Sequence, residues 1–177
     1  DEEHPCQALA DVMTITEKLG EIKNKTITYV GDSNNVAKSL AFAVISLGGN
    51  FNIASPKGYE FDQKTSDYFS SLSGGDFNKY ENAEDAIENT NIVYTDVWTS
   101  MGQEEESNDK LKVFSGFQVN ESLLASTDPS TIFMHPLPAH SEQEISKGLL
   151  EHTKSVVFDQ AENRLHIQKA ILANIIR

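Results

Sequence analysis

Short β-rich runs alternate with helix-like segments along almost the entire chain, and this alternation limits the fold more than any other feature. Several runs are nearly continuously apolar, which is typical of strands that are covered on both faces and joined in parallel through helices. The sequence therefore predicts an α/β fold, a doubly wound, mostly parallel sheet of about five strands with helices on both faces (Rossmann-like). The predicted strands cover residues 26–31, 50–56, 91–98, 131–135 and 155–159.

The helix-like segments place this α/β unit between two flanking helices. The first flanking helix begins near Pro5, a residue favoured in a first turn, and ends at Gly20. These patterns divide the chain into a linking helix at 1–22, an α/β domain at 23–160 and a C-terminal helix at 161–177. The ligand site of such a fold lies beyond the carboxyl ends of the strands. The helices predicted within the domain cover 34–47, 59–72, 82–89, 104–113, 120–126 and 142–150.

Charge and composition argue against several classes of partner. The formal net charge is −13 and the Lys and Arg residues are scattered, so the surface repels polyanions and no nucleic acid partner is expected. The apolar runs fall short of the roughly 20 residues of a membrane span, so no membrane partner is expected. The single cysteine, Cys6, excludes an internal disulfide. Together these features predict a cytoplasmic protein.

The turn after the first strand, "GDSNNVAKSL" at 31–40, carries two adjacent amides. Of the glycines in a dinucleotide-binding fingerprint only Gly31 is present, so the turn does not provide for close approach to a pyrophosphate. The amides of Asn34 and Asn35 offer donors and acceptors that suit a carboxylate or an amine. The alternative interpretation is that an asparagine here caps the following helix.

The turn after the third strand, "TDVWTSMGQEEE" at 95–106, combines an acid with neutral donors. Asp96 suits a cationic amino group, whereas the hydroxyl of Ser100 and the backbone N–H groups around Met101 suit a carboxylate. This combination matches the zwitterion of an amino acid. The alternative is a capping aspartate followed by an ordinary loop.

Two further stretches place anion-binding groups near the starts of the flanking helices. In "HPCQALAD" at 4–11, His4 and Gln7 are three residues apart and share a face at a helix N-terminus, where an anion is attracted. In "FDQAENRLHIQK" at 158–169, Arg164 lies near the predicted start of the last helix. An arginine there opposes the helix dipole, which suggests a phosphate or carboxylate ligand, and a surface salt bridge is the equal alternative.

The stretch "MHPLPAH" closes the fourth predicted strand with two prolines. Pro136 and Pro138 lack an N–H group, so the end of the strand offers carbonyl acceptors beside the ring of His135. His135 and His140 have no obvious carboxylate companion at metal-ligand spacing, so no metal is expected.

Taken together and in this order, these five stretches resemble the aspartate/ornithine carbamoyltransferase family, and most closely its ornithine-specific members. The resemblance covers nearly the whole chain and corresponds to the second, amino-acid-binding domain of the family. The other domain carries a Ser-Thr-Arg-Thr phosphate loop, and this tetrapeptide does not occur in the sequence. The resemblance therefore implies a missing N-terminal domain, against which the C-terminal helix would pack, and a homotrimer for the complete enzyme. The chain alone would be inactive.

The resemblance also implies a reaction and a role for each matched residue. The carbamoyl group of carbamoyl phosphate would pass to the side-chain amine of L-ornithine, giving citrulline and phosphate in arginine metabolism, with no cofactor. The Leu137–Pro138 peptide bond would be cis. By resemblance, His4, Gln7, Leu137 and Arg164 would bind carbamoyl phosphate, Asn35, Asp96, Ser100 and Met101 would bind ornithine, and His135, Pro136, Leu137 and Arg164 would be catalytic.

One departure from the family pattern concerns the acceptor. Ornithine-specific members usually read His-Cys-Leu-Pro where this chain has Pro136 in place of the cysteine, as aspartate-specific members do. An aspartate site needs cations for a second carboxylate, whereas this chain offers Asp96, so ornithine is the expected acceptor. The alternatives are an aspartate-like or modified diamino acid, or an amino-acid-binding module without catalysis. A nucleotide-binding domain is disfavoured by the missing glycines.

Overall fold

The computed structural model describes residues 2–99 and 107–176 and contains one sheet of five parallel strands in the order β3-β2-β1-β4-β5. The order reverses beside β1, and helices connect the strands, so the predicted doubly wound α/β fold is confirmed. The strands are β1 (Thr26–Val30), β2 (Asn50–Ala54), β3 (Phe77–Tyr80), β4 (Ile92–Tyr94) and β5 (Ile132–Met134). The helices are α1 (Pro5–Leu19), α2 (Asn35–Ser46), α3 (Gln63–Ser71), α4 (Ala83–Ala86), α5 (Ser107–Val113), α6 (Glu121–Ala125) and α7 (Val157–Ile175).

Alternate residues of the strands point to two hydrophobic cores, one on each face of the sheet. In β4, for example, Ile92 and Tyr94 lie in the core covered by α1 and α2, whereas Val93 lies in the core on the opposite face. Phe133 of β5 joins Val93 in that second core. Both faces are therefore apolar, which explains the nearly continuous hydrophobic runs in the sequence.

The identity of the fifth strand differs from the prediction. The strand predicted at 155–159 is wrong, because Ser155 makes a single bridge to Phe133 and α7 begins at Val157. The sheet instead gains the edge strand β3, which pairs only with β2 and exposes polar side chains. The segment between α3 and β3 contains two adjacent glycines. A Cβ atom on Gly74 would lie 1.8 Å from the carbonyl oxygen of Ile45, so the close approach of these backbones requires glycine.

The helix predicted at 142–150 is also wrong. This segment consists of turns and isolated bridges and ends in a single 3-10 turn at Leu149–Glu151. Its backbone is bonded elsewhere, since the N–H of Val119 donates to the carbonyl of Glu144 over 2.9 Å. These hydrogen bonds replace the helical ones and bury the side chain of Glu144.

The two flanking helices pack against each other along one edge of the sheet. The amide of Asn163 in α7 donates to Thr14 (3.0 Å) and Glu17 (2.8 Å) of α1. The outer side of α7 is apolar, with Leu165, Leu172 and Ile175 more than half exposed. Across the described ranges, none of the helices combines the length and the hydrophobicity needed to cross a membrane.

Candidate active site

The turns that follow β1, β4 and β5 meet at the carboxyl edge of the sheet. These three strands are adjacent and parallel, so the residues that follow them lie side by side. The turns carry Asn34, Asp96 and His135, and the flanking helices α1 and α7 bring Gln7 and Arg164 to the same region. Hydrogen bonds join the turns after β1 and β4 through Asn34 and Asp96. Other hydrogen bonds join α1 to α7 through Gln7 and Arg164, and α7 to the end of β5 through Gln160 and the backbone of His135.

Asn34 and Asp96 form a hydrogen-bonded pair, here called the acceptor pair. Asn34 Nδ2 donates to Asp96 Oδ2 over 2.8 Å, while Asn34 Oδ1 accepts the N–H of Ala37 and caps α2. Burial raises the pKa of Asp96, and the hydrogen bonds from Asn34 and from the N–H of Val97 oppose this rise. The alternative interpretation of this turn, an asparagine that caps the following helix, is thus confirmed for Asn34. Asn35, the predicted ligand, begins α2 and lines a cavity of about 340 Å³ beside the pair.

Lys110 connects the turns on which the acceptor pair lies. Its Nζ atom donates to Asp32 Oδ2 (2.6 Å) and to the carbonyl of Trp98 (2.8 Å), and it lies 5.4 Å from the centre of the Tyr59 ring. The sequence analysis missed this residue, because a lysine on a polar helix gives no signal of burial. Ser100 and Met101, two predicted ornithine ligands, fall outside the described residues.

His135 is fully buried at the end of β5. Its Nδ1 atom accepts the N–H of Leu137 over 2.9 Å, so the proton of the neutral ring lies on Nε2. Nε2 lies 3.3 Å from Oε1 of the buried Glu144, a close contact without hydrogen-bond geometry. The view that His135 lacks a carboxylate companion was therefore wrong. The predicted cis peptide bond between Leu137 and Pro138 is present.

Two histidines, His135 and His140, lie close to Glu144, a combination of residue types that can bind metal ions. Glu144 also lies 3.9 Å from Nδ1 of His140. However, within the part of the chain that the structure describes, no group of three or more His, Cys, Asp or Glu side chains is arranged to hold a metal ion.

Gln7 and Arg164 meet between α1 and α7. Gln7 is buried, and its Oε1 atom accepts a hydrogen bond from Arg164 Nη1. The Nε atom of Arg164 is buried and has no hydrogen-bond partner within the described residues. The prediction that Arg164 lies at the start of the last helix is wrong, because α7 begins at Val157 and Arg164 lies in its third turn. His4 is at the N-terminal cap of α1, where its carbonyl accepts the N–H of Gln7 (3.1 Å).

Asp11 joins these residues to the strand ends, although sequence reasoning missed it. The carboxylate is fully buried and accepts hydrogen bonds from Gln7 Nε2 (2.8 Å), Gln160 Nε2 (2.7 Å) and the hydroxyl of Tyr94 (2.9 Å). Burial raises the pKa of Asp11 to about 7, against the three hydrogen bonds and the charge of Arg164. We call Gln7, Asp11, Tyr94, Gln160 and Arg164 the Asp11 network. A usable signal existed in the sequence, since Gln7 and Asp11, like Gln160 and Arg164, are four residues apart and share a helix face.

Comparisons with known proteins agree with this arrangement. The family model for the aspartate/ornithine carbamoyltransferase Asp/Orn-binding domain matches residues 23–175. The ornithine carbamoyltransferase of Thermococcus kodakarensis is 48% identical over 179 residues, which cover 99% of this chain and 57% of that protein. The anabolic ornithine carbamoyltransferase of Pyrococcus furiosus is also 48% identical, again over 57% of its length. The chain thus spans little more than half the length of these relatives.

Solved structures give the same result for the fold. The ornithine carbamoyltransferase of Pyrococcus furiosus superposes with a TM-score of 0.92 at 47% identity and covers 100% of this chain and 58% of that one. The enzyme of Thermus thermophilus superposes with a TM-score of 0.88 at 38% identity. On the match over residues 23–175, this chain belongs to the aspartate/ornithine carbamoyltransferase family, as its Asp/Orn-binding domain.

Proposed function

We propose that this chain is the amino-acid-binding domain of an enzyme that transfers the carbamoyl group of carbamoyl phosphate to the side-chain amine of L-ornithine, giving citrulline and phosphate. The observation that carries the proposal is a continuous series of hydrogen bonds. It runs from Arg164 through Gln7, Asp11 and Gln160 to the backbone of His135. These hydrogen bonds connect a guanidinium, which suits an anion, to a strand end that offers carbonyl acceptors. Both lie at one edge of the sheet.

The carbamoyl phosphate side rests on Arg164 and its surroundings. The buried Nε donor of Arg164 has no partner in the described ranges, and a guanidinium suits the geometry of a phosphate. His4, at the N-terminus of α1, adds a site where anions are attracted. In the proposed complex Gln7 and the carbonyl of Leu137 accept from the carbamoyl NH2 group, while positive groups polarise the carbamoyl oxygen.

The acceptor side rests on Asp96. A buried carboxylate suits the α-amino group of ornithine, and Asn35, Ser100 and Met101 would hold the α-carboxylate. An aspartate acceptor would instead need a free cation for its second carboxylate. The two lysines near the acceptor pair are already occupied, Lys38 by Glu3 at 2.8 Å and Lys110 by Asp32 at 2.6 Å. This pairing favours a cationic acceptor, despite Pro136.

The chemistry is a nucleophilic substitution at the carbamoyl carbon. The uncharged side-chain amine attacks this carbon, a C–N bond forms, and the C–O bond to the phosphate breaks, while the leaving phosphate takes up the proton that the amine loses. The residues of this chain supply orientation and electrostatic stabilisation rather than a covalent intermediate. His135 and Pro136 would shape the strand end at which the two substrates meet.

The proposal extends to the partners of the chain. The relatives are nearly twice as long, so we infer that a second domain supplies the phosphate loop and that the complete enzyme, this chain joined to that domain, is a cytoplasmic homotrimer. The lone cysteine, Cys6, which is free, agrees with a reducing compartment.

The test compares this chain alone with a chimera that joins it to the unmatched part of the Thermococcus kodakarensis relative. We expect citrulline formation by the chimera and none by the 177 residues alone. Turnover by this chain alone would contradict the two-domain requirement. Turnover of aspartate but not ornithine by the chimera would contradict the acceptor assignment, and ornithine binding without turnover would favour a binding module.

A further inference from the structure

Asp11 makes none of the substrate contacts proposed above. It nevertheless connects the pair of Gln7 and Arg164 to the end of β5. It lies on α1, and its carboxylate contacts one glutamine on its own helix and one on α7. Gln160 in turn accepts the backbone N–H of His135 over 2.9 Å. A single buried side chain thereby links α1, α7 and the end of β5.

The chemistry of a carboxylate fixes the direction of these hydrogen bonds. A carboxylate only accepts, so Gln7 and Gln160 must both turn their NH2 groups toward Asp11. Their carbonyl oxygens then point the other way, Gln7 Oε1 to Arg164 and Gln160 Oε1 to the N–H of His135. Both of those partners only donate, so the polarity of the whole network follows from Asp11.

We propose that Asp11 is a positioning residue of the carbamoyl phosphate site, which holds the Gln7 oxygen against Arg164 and the Gln160 oxygen against the backbone of His135. The inference rests on the proposed function for the identity of the ligand. A reversed Gln7 amide would face the guanidinium with an NH2 group, and two donors cannot pair. Arg164 would then lose the acceptor that holds it, and the ligand would lose an oriented carbonyl oxygen.

The proposed role does not depend on the charge of Asp11. Both glutamine amides bond to Oδ1, whereas Oδ2 accepts only from Tyr94. A proton on Oδ2, or the NH2 group of an asparagine there, can donate to the Tyr94 oxygen and leave the Oδ1 contacts intact. Asp11→Asn should therefore preserve the orientation of both glutamines, whereas the similarly shaped Asp11→Leu abolishes it.

The test measures KM for both substrates in the complete enzyme. We expect Asp11→Leu to raise KM for carbamoyl phosphate about 10- to 100-fold while KM for ornithine stays within about threefold, because only the first site loses its oriented groups. Asp11→Asn should remain within about threefold of the wild type for both substrates. The matched structural control is Thr14→Val, which removes two buried hydrogen bonds on the same helix, to the carbonyl of Ala10 and from Asn163, but none of the Asp11 network. It should lower Tm without changing KM.

Two outcomes would overturn the inference. One is an unchanged KM for carbamoyl phosphate in a folded Asp11→Leu enzyme. The other is a KM for carbamoyl phosphate that rises in Thr14→Val as much as in Asp11→Leu, because a general loss of stability would then explain both.

A measurement on this chain keeps the inference testable if Asp11→Leu fails to fold or if the complete enzyme shows no turnover. NMR should detect couplings across hydrogen bonds from the side-chain nitrogens of Gln7 and Gln160 to the Asp11 carboxyl carbon. Absent couplings would overturn the inference. Intact couplings in an enzyme without carbamoyl transfer would instead contradict the proposed function and leave the orientation by Asp11 standing.

Discussion

The Asp11 network and the acceptor pair lie on the same edge of the sheet, but they are built differently. The network takes its side chains from two long helices and one strand, and its carboxylate at the centre is fully buried. The acceptor pair lies on turns, and Lys110 braces it from α5. The proposed phosphate side is thus preorganised by packed helices, whereas the acceptor side depends on short connections between secondary-structure elements.

This difference predicts how substitutions should combine. Members of the Asp11 network share hydrogen bonds, so their effects on carbamoyl phosphate should be strongly non-additive. Substitutions on the acceptor side should change the KM for ornithine instead, and their effects should be additive with those of substitutions in the network. The predictions below test this separation in the complete enzyme.

The largest effect is expected from Arg164→Met. The substitution removes the guanidinium proposed for the phosphate, so kcat/KM for carbamoyl phosphate should fall on the order of 10²- to 10³-fold. Steady-state kinetics at saturating ornithine provide the measurement. Lys169→Met, which removes an exposed positive charge from the same helix, is the matched control and should have no such effect. Equal losses in both variants would point to long-range attraction rather than contact.

A smaller effect, on ornithine rather than on carbamoyl phosphate, is expected from Asp96→Asn. The neutral amide keeps the shape of the acid but removes the counter-charge for the α-amino group, so KM for ornithine should rise about 50-fold. KM for carbamoyl phosphate should stay unchanged. The control is Asp67→Asn, which changes an exposed acid on α3. Unchanged ornithine affinity in Asp96→Asn would remove the main reason for preferring ornithine over aspartate.

Sequence reasoning reached the fold and several residues at the carboxyl edge of the sheet because these depend on local patterns. The strands predicted at 26–31 and 131–135 end within one residue of β1 and β5, whereas the strand predicted at 91–98 is too long, because β4 ends at Tyr94. The first helix was predicted within one residue, from Pro5 to Gly20 against the observed Pro5–Leu19. At these places the local sequence pattern is sufficient to determine the secondary structure.

The errors arose where tertiary contacts override local patterns. The run at 155–159 is apolar because Val157 packs into the core as the first residue of α7, and a buried helix start is as apolar as a strand. The edge strand β3 is polar because only one neighbour pairs with it. Asp11 and Glu144 were missed because the burial of a carboxylate depends on distant partners, and the spacing of Gln7 and Asp11 shows a shared helix face but not its burial.

A moderate effect is expected from Lys110→Met. The ion pair with Asp32 is mostly buried, with side-chain exposures of 11% and 20%, so the substitution leaves an uncompensated carboxylate. We expect the free energy of unfolding to fall by about 2 kcal/mol and KM for ornithine to rise about fivefold, because both turns of the acceptor pair lose their brace. Lys112→Met is the matched control, since its pair with Asp109 is exposed. A KM change for carbamoyl phosphate instead would show that the two sides are not separate.

The smallest effect concerns the pH dependence of stability near neutral pH, to which Asp11 of the network should contribute. The folded chain holds a proton on Asp11 up to a pKa of about 7, against 3.8 for the ordinary carboxyl. Between these values the folded state binds more protons than the unfolded state, so the contribution of Asp11 to stability is complete below the lower value and is lost as pH rises through the upper one.

The chain itself is sufficient for this measurement, with Asp11→Asn as the reference because an amide does not titrate. Between roughly pH 6 and pH 8 the wild type should lose about 1.4 kcal/mol of unfolding free energy relative to Asp11→Asn. Urea unfolding of both chains at several pH values gives the difference, in which the contributions that the two chains share largely cancel. Parallel curves would mean that Asp11 is already ionised throughout this range, held by its three hydrogen bonds and the charge of Arg164 in spite of its burial.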